Sequence, residues 1–195
     1  MKTLYLKLIV CCFVCVSLHA QVEGLYRNTS ILFQNGNSDL TNAEKNEIFN
    51  LTGFELAANG SQFYLRDDPN TTDFPFDATV YPMDLNDDGI EEVAIVYGNA
   101  NSSGRAGKST LLFVKDMEGN YSANFGFPGT LIFLNINPLT LPDILVRKPE
   151  PGFPIWRWNG KVYVLHEQTN NKKLRRMRVT YLVDASRSYT TKVKK

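Results

Sequence analysis

Short segments rich in β-branched and aromatic residues recur through most of the chain, and they restrict it to a mainly β fold. Gly, Pro, Asn and Asp separate these segments, and such punctuation is typical of short strands joined by turns. It indicates a mainly β (α+β) protein with antiparallel sheets. The predicted strands cover residues 55–58, 62–65, 79–85, 92–97, 110–115, 121–125, 131–134, 144–147, 154–158, 162–167 and 178–183.

One short helix near the N-terminus is predicted by its capping residues. Thr41 and Glu44 have the spacing of a capping box, in which each residue satisfies a free backbone amide of the other. Gly53 is placed to end the helix, because glycine accepts the left-handed conformation common at that position. We expect residues 22–40 to form a loop, with one short strand around residues 30–33.

The first twenty residues have the composition of a cleaved secretory signal peptide. Lys2 and Lys7 precede an apolar run over residues 8–18, and Ala20 supplies the small residue before a cleavage site. The run is too short for an ordinary transmembrane helix, which disfavours the alternative of an uncleaved anchor. We therefore expect a secreted or periplasmic protein with no stable membrane insertion after cleavage.

Loss of the signal removes every thiol from the chain. Cys11, Cys12 and Cys15 all lie in the signal, so disulfides and thiol chemistry are excluded from the mature protein. His166 is then the single histidine, which excludes zinc sites built on several His or Cys ligands. Because no nucleophile motif accompanies it, we interpret His166 as an ordinary strand residue.

The charge of the mature chain gives no reason to expect nucleic acid as a partner. With Lys2 and Lys7 removed, 19 basic and 20 acidic residues leave a net charge of −1. A basic cluster at residues 172–178 and a basic tail at 186–195 are interpreted as solvated surface. The alternative is that they bind an anionic surface, such as lipopolysaccharide or nucleic acid. The remainder, residues 21–185, is expected to form a single β-rich domain.

Two stretches of the second half resemble each other. Asp84 and Glu92 bracket one loop and Asn135 and Asp143 bracket another, with a separation of eight positions in both cases. Each loop is followed by a strand, a Gly-containing turn and an aromatic strand. This pattern predicts two four-stranded units, at residues 79–126 and, in degenerate form, at 130–168.

The first of these loops carries oxygen donors at the spacing of a calcium loop. Loop positions one, three, five and nine are Asp84, Asn86, Asp88 and Glu92, and the backbone carbonyl of Ile90 can supply position seven. Hard oxygen ligands suit Ca²⁺, and three carboxylates brought together would repel one another without a cation between them. The alternative is an Asp- and Gly-rich turn that binds no ion.

A strand, this Asp-x-Asn-x-Asp-Gly-x-x-Glu loop and a second strand resemble the calcium loops of FG-GAP and VCBS-type repeats, which occur in β-propellers and in exported bacterial proteins. The resemblance covers residues 80–96 and extends through the second unit to residue 168. It implies a structural calcium ion held by the same five residues. The second loop has Leu139 and Thr140 where the first has Asp88 and Gly89, so we expect no ion there. Two units cannot close a propeller, so we expect an open sheet assembly or a sandwich.

The function predicted from these features is that of a non-enzymatic module that binds a protein or a glycan. Candidate surfaces are the loop at residues 99–108 and the aromatic strand containing Trp156 and Trp158, which could instead pack in the core. Residues 104–110 end like a phosphate-binding loop, but a strand is predicted where that motif requires a helix. One alternative is a periplasmic inhibitor or immunity-type protein. Another is a carboxylate-dependent hydrolase, with candidate acids at Asp67, Asp68, Asp73, Asp77 and Asp84.

Overall fold

The structure, a computed structural model, describes residue 24 and residues 26–147 and 152–193. The signal peptide predicted at residues 1–20 lies outside the described residues. No helix in the described ranges has both the length and the apolar composition needed to cross a bilayer.

In the part of the chain that the structure describes, eleven strands form three antiparallel sheets, which confirms the predicted fold class. The strands are β1 (Phe54–Leu56), β2 (Phe63–Leu65), β3 (Ala78–Met83), β4 (Glu92–Tyr97), β5 (Ser109–Lys115), β6 (Tyr121–Pro128), β7 (Thr130–Leu134), β8 (Asp143–Arg147), β9 (Phe153–Trp158), β10 (Tyr163–Thr169) and β11 (Val179–Tyr181). Strands β3 to β6 form one four-stranded meander and β7 to β10 form a second, whose β7 edge is extended by β11. No sheet of the described residues closes into a barrel or a propeller.

Short helices flank the sheets, and the one predicted from its capping box is confirmed. The Thr41 hydroxyl accepts from the Glu44 amide at 3.3 Å, and the Glu44 carboxylate accepts from the Thr41 amide at 2.8 Å. Gly53 ends this helix with a left-handed φ of 68°. The helices are α1 (26–33), α2 (Asn42–Thr52), α3 (Asn70–Asp73), α4 (Ala100–Ser103), α5 (Asn171–Leu174) and α6 (Leu182–Val193), and a 3-10 turn covers Gly104–Ala106.

None of the other helices in the described ranges was predicted from the sequence, and α1 and α6 are the longest of them. The loop and short strand predicted at residues 22–40 are wrong for 26–33, where a helix buries Leu32 and Phe33 while its other face is polar and exposed. The segment predicted as a basic tail at 186–195 belongs to α6 up to Val193. The apolar face of α6 is narrow, so the segment was interpreted from its basic residues as a solvated tail and its helical pattern was overlooked.

Apolar side chains on both faces of the first meander place it in the middle of the molecule. One face, with Val93 and Ile95, packs against α1, α2 and the β1–β2 hairpin. The opposite face, with Ala94 and Leu112, packs against the inner face of the second meander. Strand β4 is buried on both sides, which explains its continuous apolar sequence.

A single residue, Gly129, connects the two meanders. Its φ is 122°, and a Cβ at this position would lie 2.5 Å from the Arg147 carbonyl oxygen. The Gly129 amide donates to the Lys108 carbonyl at 2.8 Å, and its own carbonyl accepts from the buried Thr110 hydroxyl at 2.7 Å. The chain can therefore cross between the sheets at this point only with a residue that lacks a side chain.

Candidate metal centre

The turns of four hairpins meet at one end of the two meanders. They connect β3 to β4 and β5 to β6 in the first meander, and β7 to β8 and β9 to β10 in the second. In an antiparallel meander, every second turn lies at the same end of the sheet. Residues from all four turns border one cavity of about 910 Å³, which we call the loop cleft. Loops held at the end of a rigid sheet commonly carry function.

Asp84, the first predicted ligand, organises the backbone of the β3–β4 loop. Its two carboxylate oxygens accept from the amides of Asp88, at 3.2 Å, and Gly89, at 3.1 Å. The loop turns sharply because Asp87 and Gly89 adopt left-handed φ values of 55° and 81°. The glycine was predicted for this bend; the strained aspartate was not.

Asn86 and Asp88 contact each other through their side chains. The Asn86 amide nitrogen donates to Asp88 Oδ2 at 2.8 Å, and Asp88 Oδ1 accepts from the Ile90 amide at 2.7 Å. Asn86 Oδ1 is buried, and no donor among the described residues reaches it. Such an oxygen has lost water without a replacement partner, which is the condition a cation or a donor would relieve.

Glu92 is the most perturbed acid of the loop. It is 2% exposed, and one of its oxygens accepts from the Leu85 amide at 2.8 Å. The pKa of Glu92 is raised to about 8, chiefly by burial and also by the negative charges of Asp88 and Asp84, while the hydrogen bond from the Leu85 amide acts to lower it. Within the described ranges, no Lys or Arg forms an ion pair with it.

The structure brings four of the five predicted ligands to the loop cleft. Asn86, Asp88, Ile90 and Glu92 border it, whereas Asp84 borders a cavity of about 540 Å³ beside α6. In the described part of the chain, no group of three Asp, Glu, His or Cys side chains is arranged to hold a metal ion. Asp84, Asp88 and Glu92 therefore do not form a ready carboxylate cage in this conformation, although their oxygen atoms are the type of ligand that calcium prefers.

The β7–β8 loop lies beside the candidate loop and differs from it in charge. Its Leu139 amide donates to the Asn86 carbonyl at 3.0 Å, so the two loops are joined through their backbones. Asp143, at the position equivalent to Glu92, receives two hydrogen bonds from Arg157, at 2.9 and 2.7 Å. That carboxylate already has a cationic partner, which supports the prediction that this loop binds no ion.

The neighbouring acid, Glu91, was not identified as a candidate from the sequence. This acidic residue is only 5% exposed, and its carboxyl group accepts from the Ser38 hydroxyl at 2.6 Å, the Asp39 amide at 2.9 Å and the Tyr189 hydroxyl at 3.1 Å. Burial raises its pKa, which these hydrogen bonds partly offset. The sequence signal that could have revealed its burial is the Glu91-Glu92 pair at the start of an apolar strand. Successive residues point to opposite faces of a sheet, and both faces of β4 are covered, so both acids are buried.

Of the other candidate residues, only Trp158 borders the loop cleft. The hydrolase candidates Asp67, Asp68, Asp73 and Asp77 do not border it. Trp156 and Trp158 are partly buried and pack against the core between the sheets, as the core alternative predicted, and Trp158 also contributes to the wall of the cleft. The side chains that border the cleft and were not singled out from the sequence include Asp116, Glu118, Asn124, Arg157 and Lys161.

Comparison of the chain with protein-family models, curated proteins and solved structures gives no match. The resemblance to FG-GAP and VCBS-type repeats therefore stays a prediction that rests on the loop residues.

Proposed function

We propose that the chain is an exported, non-enzymatic β module whose β3–β4 loop binds a structural calcium ion and whose scaffold binds a protein or a glycan. The predicted ligands are Asp84, Asn86, Asp88, the Ile90 carbonyl and Glu92. The ion would act by holding the loop against the start of β4, and it would take no part in chemistry. In this role calcium keeps the hairpin turns of the loop cleft in fixed relative positions.

The observation that carries the proposal is the buried Glu92 carboxyl. A carboxylate that is 2% exposed and lies near two other acids is unfavourable when ionised. A divalent cation reverses this effect, because it attracts the same charges that otherwise repel one another. Asn86 Oδ1, which is buried and lacks a donor among the described residues, supplies a neutral ligand on the same cleft.

Binding requires a local rearrangement of the loop. Asp84 uses both carboxylate oxygens on the amides of Asp88 and Gly89, and Asp88 contacts the Asn86 side chain. We propose that calcium draws oxygens of Asp84 and Asp88 toward Asn86 and Glu92. The loop is exposed from Asp87 to Ile90, so this movement does not disturb the core.

Thermal melting in calcium and in chelator tests the proposal. An ion at about a hundred times its dissociation constant stabilises by about 2.7 kcal/mol, which for a chain of this size raises the melting temperature by about 5–10 °C. We expect the double variant Asp84→Asn/Asp88→Asn to lose the response. The matched control is Asp116→Asn/Glu118→Gln, which removes two carboxylates from the neighbouring β5–β6 turn. An unchanged melting temperature with calcium, or loss of the response in the control, would contradict the proposal.

A carboxylate-dependent hydrolase is the second candidate, and one observation favours it. Glu92 holds its proton to about pH 8 in a cleft that also contains Asp88 and Asp143, and a general acid needs such a raised pKa. In this role the loop would work without calcium. Glycoside hydrolysis by the purified protein that disappears in Glu92→Gln would support it. Activity retained in that variant would exclude Glu92 as the acid.

A further inference from the structure

A second cavity, at the opposite end of the sheets from the loop cleft, combines basic, polar and aromatic side chains. It has a volume of about 680 Å³ and lies on the outer face of the second meander. Lys108 and Arg147 border it together with Thr130, Asn171, Phe153 and Tyr181, and none of the acidic residues that the structure describes borders it. We call this cavity the basic pocket. Its volume is in the range of small-ligand sites.

The fold holds the two basic residues of the pocket close together. The Lys108 carbonyl accepts a hydrogen bond from the Gly129 amide at 2.8 Å. Thr130, which follows Gly129 in the chain, pairs with Arg147 across β7 and β8. Adjacent strands are roughly 5 Å apart, and the segment Gly129–Thr130 lies between Lys108 and Arg147. The backbones of the two basic residues are therefore about two strand spacings, roughly 10 Å, apart. The crossing at Gly129 therefore fixes a pair of cations at one edge of the pocket.

Further basic residues lie in or next to two elements that border the pocket, although their own side chains do not line it. Arg105 lies in the 3-10 turn before Lys108, and four more basic residues lie in or just after α5, which borders the pocket. Among the residues the structure describes, only Lys173 of this group forms an ion pair, with Glu167 at 3.2 Å. The four residues at α5 are Lys172, Lys173, Arg175 and Arg176. Because the mature chain is nearly neutral, this concentration of positive charge is local and favours an anionic ligand.

The other walls indicate which kind of anion the pocket suits. Tyr181 is 49% exposed and Phe153 is partly buried, so both offer ring surface to the pocket. Aromatic rings pack against the apolar faces of sugars, while Thr130 and Asn171 can hydrogen-bond to hydroxyl groups. A lone phosphate would use the cations but not the aromatic walls.

We propose that the basic pocket binds an acidic polysaccharide, with a carboxylate or sulfate group on Lys108 and Arg147 and sugar rings against Phe153 and Tyr181. This inference deepens the proposed binding role by naming a ligand class. It is independent of the calcium loop, because β5 and β8 separate the two sites along their lengths.

Calorimetric titration with defined oligosaccharides tests the inference. The probes are a sulfated heparin hexasaccharide, a galacturonate hexamer, a neutral dextran oligomer and inorganic phosphate, each with the purified protein in calcium and in chelator. We expect the two acidic probes to bind in both conditions, more weakly at higher salt, and the neutral probe and phosphate to bind at least about tenfold more weakly.

Variants then locate the site. The double variant Lys108→Gln/Arg147→Gln is expected to weaken binding of the acidic probes at least about tenfold, because it removes two charge-assisted contacts. Its melting temperature should be unchanged, since both side chains are exposed. The matched control, Arg178→Gln/Arg187→Gln, removes the same charge elsewhere and is expected to change binding less than about twofold.

Several outcomes would overturn the inference. They are equal binding of the neutral oligomer, equal losses in the test and control variants, or failure of both acidic probes to bind. Tighter binding of a short DNA duplex than of either acidic glycan would also reject it, in favour of nucleic acid. A failure here combined with calcium-dependent melting would reject the basic pocket alone, and the reverse result would reject the calcium loop alone.

Discussion

The buried carboxyl of Glu92 predicts an unusual dependence of stability on pH when calcium is absent. Its pKa is raised from 4.5 to about 8 in the folded protein. Between these values the folded state binds more protons than the unfolded state, so the free energy of unfolding falls as pH rises. The slope is about 1.4 kcal/mol per pH unit, and the full effect is about 5 kcal/mol, complete above pH 8.

The variant Glu92→Gln isolates this effect, because an amide oxygen can still accept from the Leu85 amide but carries no charge. We expect the variant and the unaltered protein to have similar stability near pH 4.5, and the variant to be more stable by several kcal/mol at pH 9. Glu91 also has a raised pKa and adds a slope of the same sign to both proteins, so it cancels in the difference.

Urea unfolding in chelator at several pH values from 4.5 to 9 measures the difference directly. The control Glu118→Gln removes an exposed carboxylate on the same cleft and should follow the unaltered protein. Parallel curves for Glu92→Gln and the unaltered protein would refute the reasoning. Calcium should restore stability to the unaltered protein at pH 9 and leave Glu92→Gln nearly unchanged.

Three further predictions concern stability. Gly129→Ala should cost about 3 kcal/mol or more in urea unfolding, because of its φ and the close Arg147 carbonyl; Gly119→Ala, with positive φ but open space, should cost about 1–2 kcal/mol. Phe133→Ala, fully buried between the sheets, should cost about 3–5 kcal/mol, and a loss below about 1 kcal/mol would contradict the packing described. Glu44→Gln should cost about 1–2 kcal/mol at pH 7. The Lys115 and Thr41 contacts lower the Glu44 pKa from 4.5 to about 2. The stability that the ionised Glu44 carboxylate contributes is therefore fully present above pH 4.5 and is lost as the pH falls through about 2. In acid titration, the stability difference between Glu44→Gln and the unaltered protein should disappear below this pH.

Local sequence signals predicted the elements whose determinants are themselves local. The capping box at Thr41 and Glu44 and the terminal Gly53 fixed one helix, since both ends are set by neighbouring residues. Short segments rich in β-branched and aromatic residues, separated by turn residues, predicted the strands of both meanders. The Gly89 bend and the Asp-x-Asn-x-Asp spacing located the loop between β3 and β4.

The features that sequence analysis missed depend on tertiary packing. α1 and α6 each have a narrow apolar face, and only the sheet they cover shows which residues that face buries. The orientation of Asp84 toward its own loop amides follows from the bend at Asp87. Aspartate tolerates this left-handed conformation, but the sequence does not show which aspartate of the loop adopts it. The loop cleft joins turns distant in sequence, so residues such as Arg157 became part of it only through the packing of the two meanders.

Direct calcium titration by calorimetry is the measurement that tests the central claim most closely. Extracellular calcium modules bind at dissociation constants of about 10⁻⁴–10⁻³ M, so the titration should extend to roughly 10 mM. We predict one ion per chain, lost in Asp84→Asn/Asp88→Asn and retained when Asn135 and Asn137 of the second loop are replaced by alanine. Absence of binding across this range, or loss of binding only in the second-loop variant, would contradict the assignment of the ion to the Asp84–Glu92 loop.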